Sequence, residues 1–229
     1  MTSLHSKQSG FTLIELLIVT LLLSLIMAVG TYSYSLFVDN WQKELGNFNR
    51  TKNFTVSVQR VDRLLENVYP YVLIKNNAEA GLLFVGSKSG LLSVTYNGLF
   101  NDGSPEVFRI SKIENENGRF DLIYQAMSLK YVNIIHEDQP IEFTHKVEIV
   151  KDVSDVDFNY YGWSSFRLKS QSTNNEQPKW SSKYSALNTQ LLPEKMTMTI
   201  KRDNKSVILR YAYDLESERW LSSYSDSET

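Results

Sequence analysis

The chain begins with a short, mostly polar segment that is followed by an almost wholly apolar one. Residues 11–30 contain a single charged side chain, Glu15. A helix needs about 20 apolar residues to cross the hydrocarbon core of a bilayer. The pattern therefore predicts a membrane-spanning helix over residues 11–30, and Lys7 in the preceding segment favours a cytoplasmic N-terminus.

After Gly30 the apolar positions recur at steps of three and four residues, which is typical of an amphipathic helix. We expect one helix from Phe11 to about Tyr69, because Pro70 is a natural stop. Such a stripe normally faces a core, so its second half is expected to pack on a sheet. The stripe consists of Phe37, Trp41, Leu45 and Phe48, followed by Phe54, Val58, Val61, Leu65 and Val68.

Beyond Pro70 the sequence favours strands, because short runs rich in Val, Ile, Phe and Tyr are separated by Asn, Asp and Gly. Asp203 and Asn204 lie between the last two runs and predict a hairpin. The expected fold class is therefore α+β, with a long N-terminal helix packed on an antiparallel β-sheet. The nine candidate strands are residues 71–75, 82–85, 91–96, 107–113, 119–127, 141–150, 156–161, 196–201 and 207–213.

Composition argues against an enzyme. The chain has no Cys, which excludes disulfides, thiol catalysis and Cys-type zinc sites, and its net charge of −2 does not favour binding to nucleic acid. The histidines His5, His136 and His145 have no companions at ligand spacing. We therefore expect no catalytic residue, no metal and no cofactor.

Two acidic clusters and two tryptophans remain as candidate functional residues. The clusters at residues 101–106 and 152–157 could offer oxygen ligands to calcium, but neither matches a known loop, and solvated turns are the alternative. Trp163 and Trp180 lie near polar loops, where Trp can form part of an interface or can pack at the edge of the core.

Glu15 is the unusual residue of the apolar run. A carboxylate there costs roughly 2.5–3.5 kcal/mol on insertion scales, so it needs a partner and marks a functional site. A secretory signal peptide, with residues 28–30 as its cleavage site, would have a shorter apolar run. A plain membrane anchor would not need the acid, and a buried core helix is the remaining alternative.

Residues 10–15, Gly-Phe-Thr-Leu-Ile-Glu, resemble the prepilin peptidase recognition motif of type IV pilins and type II secretion pseudopilins. The resemblance implies cleavage between Gly10 and Phe11 and N-methylation of Phe11. It also implies that Glu15 pairs with the N-terminal amine of a neighbouring subunit. The implied partners are prepilin peptidase, other minor and major pilins or pseudopilins, and the inner-membrane assembly platform.

The residue patterns and the resemblance together predict five segments: a leader (residues 1–10), a transmembrane assembly helix (11–30), its amphipathic continuation (31–70), a β-rich periplasmic domain (71–221) and, from its Ser- and acid-rich composition, a flexible tail (222–229). The protein would cross the bacterial inner membrane once, with its N-terminus in the cytoplasm.

A finer resemblance, to the J-type minor pseudopilin of type II secretion, lies in residues 60–70, 156–161 and 192–200 together with Trp180. It implies a subunit at the fibre tip that primes assembly and supports secretion. A minor pilin of a type IV pilus, for example one similar to the mannose-sensitive haemagglutinin pilus, shares these patterns. A membrane-tethered periplasmic binding module is the third possibility.

Overall fold

The structure is a computed structural model that describes residues 12–77, 79–100, 103–130, 132–171 and 177–225. The chain divides into two compact units, Met1–Asn53 and Phe54–Thr229. The first unit contains most of a single helix, and the second contains the end of that helix together with the β-sheets. The α+β class and the long N-terminal helix are confirmed.

Helix α1 spans Leu13–Glu66, a length of 54 residues. The other helices are short: α2 (Phe166–Ser170), α3 (Ala186–Thr189) and α4 (Arg219–Ser225). Among the described residues, the strands are β1 (Val68–Tyr69), β2 (Val72–Ile74), β3 (Ala80–Leu82), β4 (Phe84–Ser87), β5 (Gly90–Thr95), β6 (Glu106–Glu114), β7 (Phe120–Ser128), β8 (His145–Val153), β9 (Asp155–Gly162), β10 (Lys179–Ser181), β11 (Tyr184–Ser185), β12 (Lys195–Arg202) and β13 (Lys205–Ala212).

The strands form three sheets in which all pairs are antiparallel. The largest has seven strands, in the order β11-β4-β5-β6-β7-β8 with β1 also paired to β5. The second has the order β10-β9-β12-β13, and β2 pairs with β3 in the third. Arg202 pairs with Lys205, which leaves a two-residue loop at Asp203 and Asn204 and confirms the predicted hairpin.

Helix α1 ends three residues before the predicted end at Tyr69. Val68 and Tyr69 are instead extended and pair with β5. The hydroxyl of Thr95, on β5, lies 3.1 Å from the carbonyl oxygen of Leu64, and the hydroxyl of Tyr213 donates to the carbonyl oxygen of Leu65 over 3.1 Å. These hydroxyls pair with carbonyl oxygens that would accept amide hydrogen bonds in a longer helix. The chain can therefore change to a strand before Pro70.

Other differences from the predicted strands are local. The run at residues 82–85 is divided between β3 and β4, because the amide of Leu83 donates to the carbonyl oxygen of Tyr71 outside both strands. Strand β8 begins only at His145, while Ile141 and Phe143 pack against the smaller core cluster. Helix α4 extends into the segment expected to be a tail, and its Trp220 ring lies 5.4 Å from the ring of Tyr69.

The main core lies within the second unit, where the last turns of α1 pack against residues of both large sheets. From α1 it includes Val61, Leu64 and Leu65, all nearly inaccessible to solvent, while Phe54 and Val58 are partly buried against it. The prediction of a core-facing stripe is therefore confirmed for this part of α1.

The same prediction is wrong for the first part of the stripe. Phe37, Trp41, Leu45 and Phe48 remain 45–65% exposed. The second unit begins only at Phe54, so the stripe extends along the helix beyond the part that this unit includes. Helical spacing alone did not show where burial stops.

Candidate functional site

Glu15 lies in the first turn of α1, on a stretch of helix whose large apolar side chains are all exposed. The amide of Glu15 donates to the carbonyl oxygen of Thr12 over 3.1 Å, which forms the start of the helix. Its carboxylate has no hydrogen-bond or ion-pair partner among the described residues. A carboxylate near a helix N-terminus is favoured by the helix dipole, but in an apolar environment it still requires a cation.

Three hydroxyl side chains in and just after the apolar run are satisfied within the helix itself. The hydroxyls of Thr20, Ser24 and Thr31 donate to the carbonyl oxygens of residues 17, 20 and 27, over 3.0, 2.8 and 2.8 Å. This matters in a bilayer, where no water can complete an unpaired polar group. Glu15 is the charged side chain of this run, and its carboxylate has no such partner within the described part of the helix.

The predicted cleavage site, Gly10 and Phe11, lies outside the described residues, as does His5. The apolar stretch that follows is long and apolar enough to cross a membrane, and none of it is buried inside the protein. The core helix of a soluble protein would be mostly buried. The exposed surface is therefore suited to contact with lipid or with other helices.

The acidic cluster at residues 152–157 is engaged by basic side chains. Lys112 and Lys201 approach Asp155 at 2.9 and 3.2 Å, and Arg119 approaches Asp152 at 2.7 Å. The hydrogen bond from Lys112, helped by Lys201, lowers the pKa of Asp155 to about 2. This arrangement is an ion-pair network. In the described part of the chain, no group of three or more His, Asp and Glu residues is placed to hold a metal ion.

Of the second acidic cluster, Asn101 and Asp102 lie outside the described residues, and Glu106 is buried. The hydroxyl of Tyr124 donates to one carboxylate oxygen of Glu106 over 2.9 Å. A buried carboxylate that accepts from a tyrosine contributes to the core and is not exposed to a ligand.

The two histidines that the structure describes do not form a site. The ring of His145 stacks on Phe100 with 4.4 Å between the ring centroids, and its Nδ1 lies 2.9 Å from the hydroxyl of Thr144. His136 forms an isolated bridge with Ile74. Their contacts are those of ordinary structural residues.

The tryptophans proposed as interface residues differ in their surroundings. Trp180 on β10 is 51% exposed, and its ring lies 5.3 Å from that of Tyr161 on the paired strand β9. The indole of Trp163 donates to a carboxylate oxygen of Glu194 over 2.8 Å. Trp163 also lines an open pocket together with Lys179 and Lys183, which sequence reasoning had not connected because they belong to separate segments.

Residues 5–31 match the family described as the prokaryotic N-terminal methylation motif. The matched range includes Gly10, Phe11 and Glu15 as well as the apolar run. No curated protein matches the chain. The N-terminus therefore carries a prepilin-type signal followed by a long helix. The match to this motif supports a structural, type IV pilin-like or pseudopilin role. Such a role implies processing by prepilin peptidase and assembly with other pilins.

Proposed function

We propose that the protein is a minor pseudopilin of a type II secretion system, incorporated at the fibre tip, where it primes assembly and supports protein secretion. The observation that carries this proposal is Glu15, an unpaired acid in the first turn of an exposed apolar helix inside a matched methylation motif. The J-type resemblance of residues 60–70, 156–161 and 192–200 supports the choice of secretion system.

Processing creates the partner that Glu15 needs. Gly10 has no side chain, so a peptidase can approach an extended backbone there. Cleavage leaves an ammonium group on Phe11, which is then methylated. Isolated charges are costly in a low-dielectric environment, and pairing this ammonium with Glu15 of a neighbouring subunit removes both costs and sets the axial register.

The exposed stripe on α1 suits the same role. Phe37, Trp41, Leu45 and Phe48 lie beyond the membrane-spanning run and have their rings and side chains largely in solvent. Helices that assemble side by side would bury this surface. The β-rich unit, by contrast, has its own hydrophobic core.

The proposal is tested by replacing Glu15 with Gln or Val and measuring how much of the protein enters purified fibres. We expect at least about a tenfold loss, because removing the acid leaves the neighbouring ammonium unpaired at a cost of about 1.4 kcal/mol or more. Glu44→Gln is the matched control, since Glu44 is an exposed acid on α1 outside the apolar run. Normal incorporation of both Glu15 variants would refute the pairing.

Mass spectrometry of the mature N-terminus tests the processing step directly. The expected species begins at a methylated Phe11. A polypeptide that keeps Met1, or one that is cut after Gly30, would contradict the assignment.

The choice of machine needs a separate experiment. Deletion of the gene should reduce secretion while leaving surface pili intact. Loss of pili with normal secretion would instead assign the protein to a type IV pilus as a minor pilin. If the deletion affects neither secretion nor pili, the result would favour a tethered binding module.

A further inference from the structure

The β-rich unit has an open cavity of about 350 Å³ that does not belong to the assembly helix. It is lined by residues from the end of β9, from β10 and β11, and from α3. Strand β10 is at one edge of the four-stranded sheet and β11 is at one edge of the seven-stranded sheet. The cavity therefore lies where an edge of each sheet is available to solvent.

Two aromatic side chains of the cavity lining are held in place by neighbouring groups. Gly162 lies directly against the ring of Tyr184, and a Cβ on Gly162 would come within 2.8 Å of that ring. Burial raises the pKa of Tyr184 to about 12, so its phenol stays neutral. The indole of Trp163 is fixed by its hydrogen bond to Glu194, 2.8 Å away. These contacts provide a rigid apolar surface.

Among the described residues, the remaining lining groups are cationic or neutral, and none of them is a carboxylate. Lys179 and Lys183 are exposed and have no ion-pair partner among the described residues. Ser164 and Asn188 are also exposed and provide a hydroxyl and an amide. A cleft lined by charges of one sign concentrates ligands of the opposite sign.

This set of groups discriminates between classes of anion. No Arg is among the described residues that line the cavity, so these residues do not offer the planar fork that favours bidentate phosphate binding. An acidic peptide side chain would satisfy the lysines but would leave the hydroxyl, the amide and the indole face unused. An acidic sugar uses all of them, through its carboxylate, its hydroxyls and its apolar C–H face. Binding pockets begin at about 300 Å³, so the cavity is suited to a short saccharide.

We propose that this cavity binds an acidic saccharide, with Lys179 and Lys183 contacting the carboxylate and Trp163 contacting the sugar face. Such binding does not depend on whether the chain assembles into a fibre. A negative result here would therefore leave the proposed function untouched.

The test uses the full chain in detergent micelles and three probes: digalacturonate, neutral digalactose and a blocked Glu-Glu dipeptide. We expect digalacturonate to bind saturably in calorimetry and to show saturation transfer from protein to sugar protons. The double variant Lys179→Gln, Lys183→Gln should weaken this binding by at least about tenfold, because hydrogen bonds to charged groups are lost. Higher salt should weaken it as well.

Lys205→Gln is the matched control, since it removes an exposed lysine from β13, which does not line the cavity. It should bind digalacturonate as the unmodified protein does. Trp163→Ala should reduce saturation transfer to the sugar ring while the circular dichroism spectrum stays the same. The proposal is overturned if digalacturonate does not bind saturably at millimolar concentration. It is also overturned if the dipeptide binds equally well, or if the double lysine variant binds digalacturonate normally.

Discussion

The two parts of α1 carry similar apolar stripes, but only the stripe of the second part is buried in a core. Within Phe54–Thr229, the stripe is packed into a core, and Leu64 is completely buried. Within Met1–Asn53, large apolar side chains of the same kind remain exposed, with Phe48 at 65%. The residue types and the spacing are alike, so the difference does not arise from helix propensity.

An apolar stripe therefore specifies a need for burial but not the partner that supplies it. The second part of the helix finds its partner in the sheets of the same chain. The first part leaves its large apolar side chains exposed, and soluble monomers rarely leave a large contiguous apolar patch in water. Together with Glu15 at the start of the helix, this surface indicates a helix that other molecules bury.

The largest expected effect comes from shortening a buried side chain of the second part. Leu64→Ala should lower the free energy of unfolding of the β-rich unit by about 2–5 kcal/mol, because it removes buried methyl groups and leaves a cavity. The measurement is urea unfolding of the full chain in detergent, followed by near-ultraviolet circular dichroism. Leu45→Ala makes the same chemical change at an exposed position and should alter the value by less than about 0.5 kcal/mol. Equal losses in both variants would abolish the distinction between the two parts.

A smaller effect is expected at the end of the helix. The buried hydroxyl of Thr95 lies 3.1 Å from the carbonyl oxygen of Leu64 and 3.0 Å from that of Asn67. Thr95→Val keeps the shape but removes the donor, and should cost about 1–3 kcal/mol because buried acceptors lose their partner.

Thr31→Val is the matched control for this prediction. Thr31 also donates to a carbonyl oxygen of α1, that of Met27, but in the exposed part of the helix. The same urea titration should show no change for Thr31→Val. If Thr95→Val were equally neutral, the contact between its hydroxyl and the helix end would not contribute to stability.

The features that could be predicted from the sequence depend on neighbouring residues. The apolar run and Glu15 are adjacent in the chain, and helical spacing needs only a few turns to be recognised. The β12–β13 hairpin follows from two turn residues, of which Asp203 has a φ of 52°. Asp tolerates this left-handed conformation better than most residues do.

The features that were missed depend on contacts between distant segments. The end of α1 is set by Thr95 and Tyr213, which lie far along the chain from Leu65. Strands β1, β10 and β11 have two or three residues each, too few to show an alternating pattern. The cavity near Trp163 is lined by residues of separate segments, so no local sequence motif predicts it.

A third prediction concerns the first residue of the second unit. The guanidinium of Arg202 lies over the ring of Phe54, with its carbon 5.0 Å from the ring centroid. A cation is attracted to the face of an aromatic ring when it lies within about 6 Å of the centroid. Arg202→Gln should lower the free energy of unfolding of the β-rich unit by about 0.5–1 kcal/mol, the usual contribution of a cation over an aromatic ring at a partly exposed site. Urea unfolding provides the measurement, and Arg60→Gln, at an exposed position of α1, is the control. A double variant with Phe54→Leu should show that the two effects are not additive, and additive losses would mean that the ring and the cation do not interact.

The smallest expected effect is a response to acid that is confined to the β-rich unit. The hydrogen bond from Lys112, followed by that from Lys201, lowers the pKa of Asp155 from 3.8 to about 2. A lowered pKa means that the contribution to stability is complete above pH 3.8 and is lost as the pH falls through about 2. Asp155 keeps 30% of its side-chain surface exposed, so screening by water limits the contribution to about 0.2–1 kcal/mol.

Unfolding titrations at several values of pH should show this decline in stability in the unmodified protein and a weaker decline in Asp155→Asn. The control Asp39→Asn, on the exposed part of α1, should behave like the unmodified protein. An identical decline in Asp155→Asn would show that other carboxylates of the unit cause its sensitivity to acid.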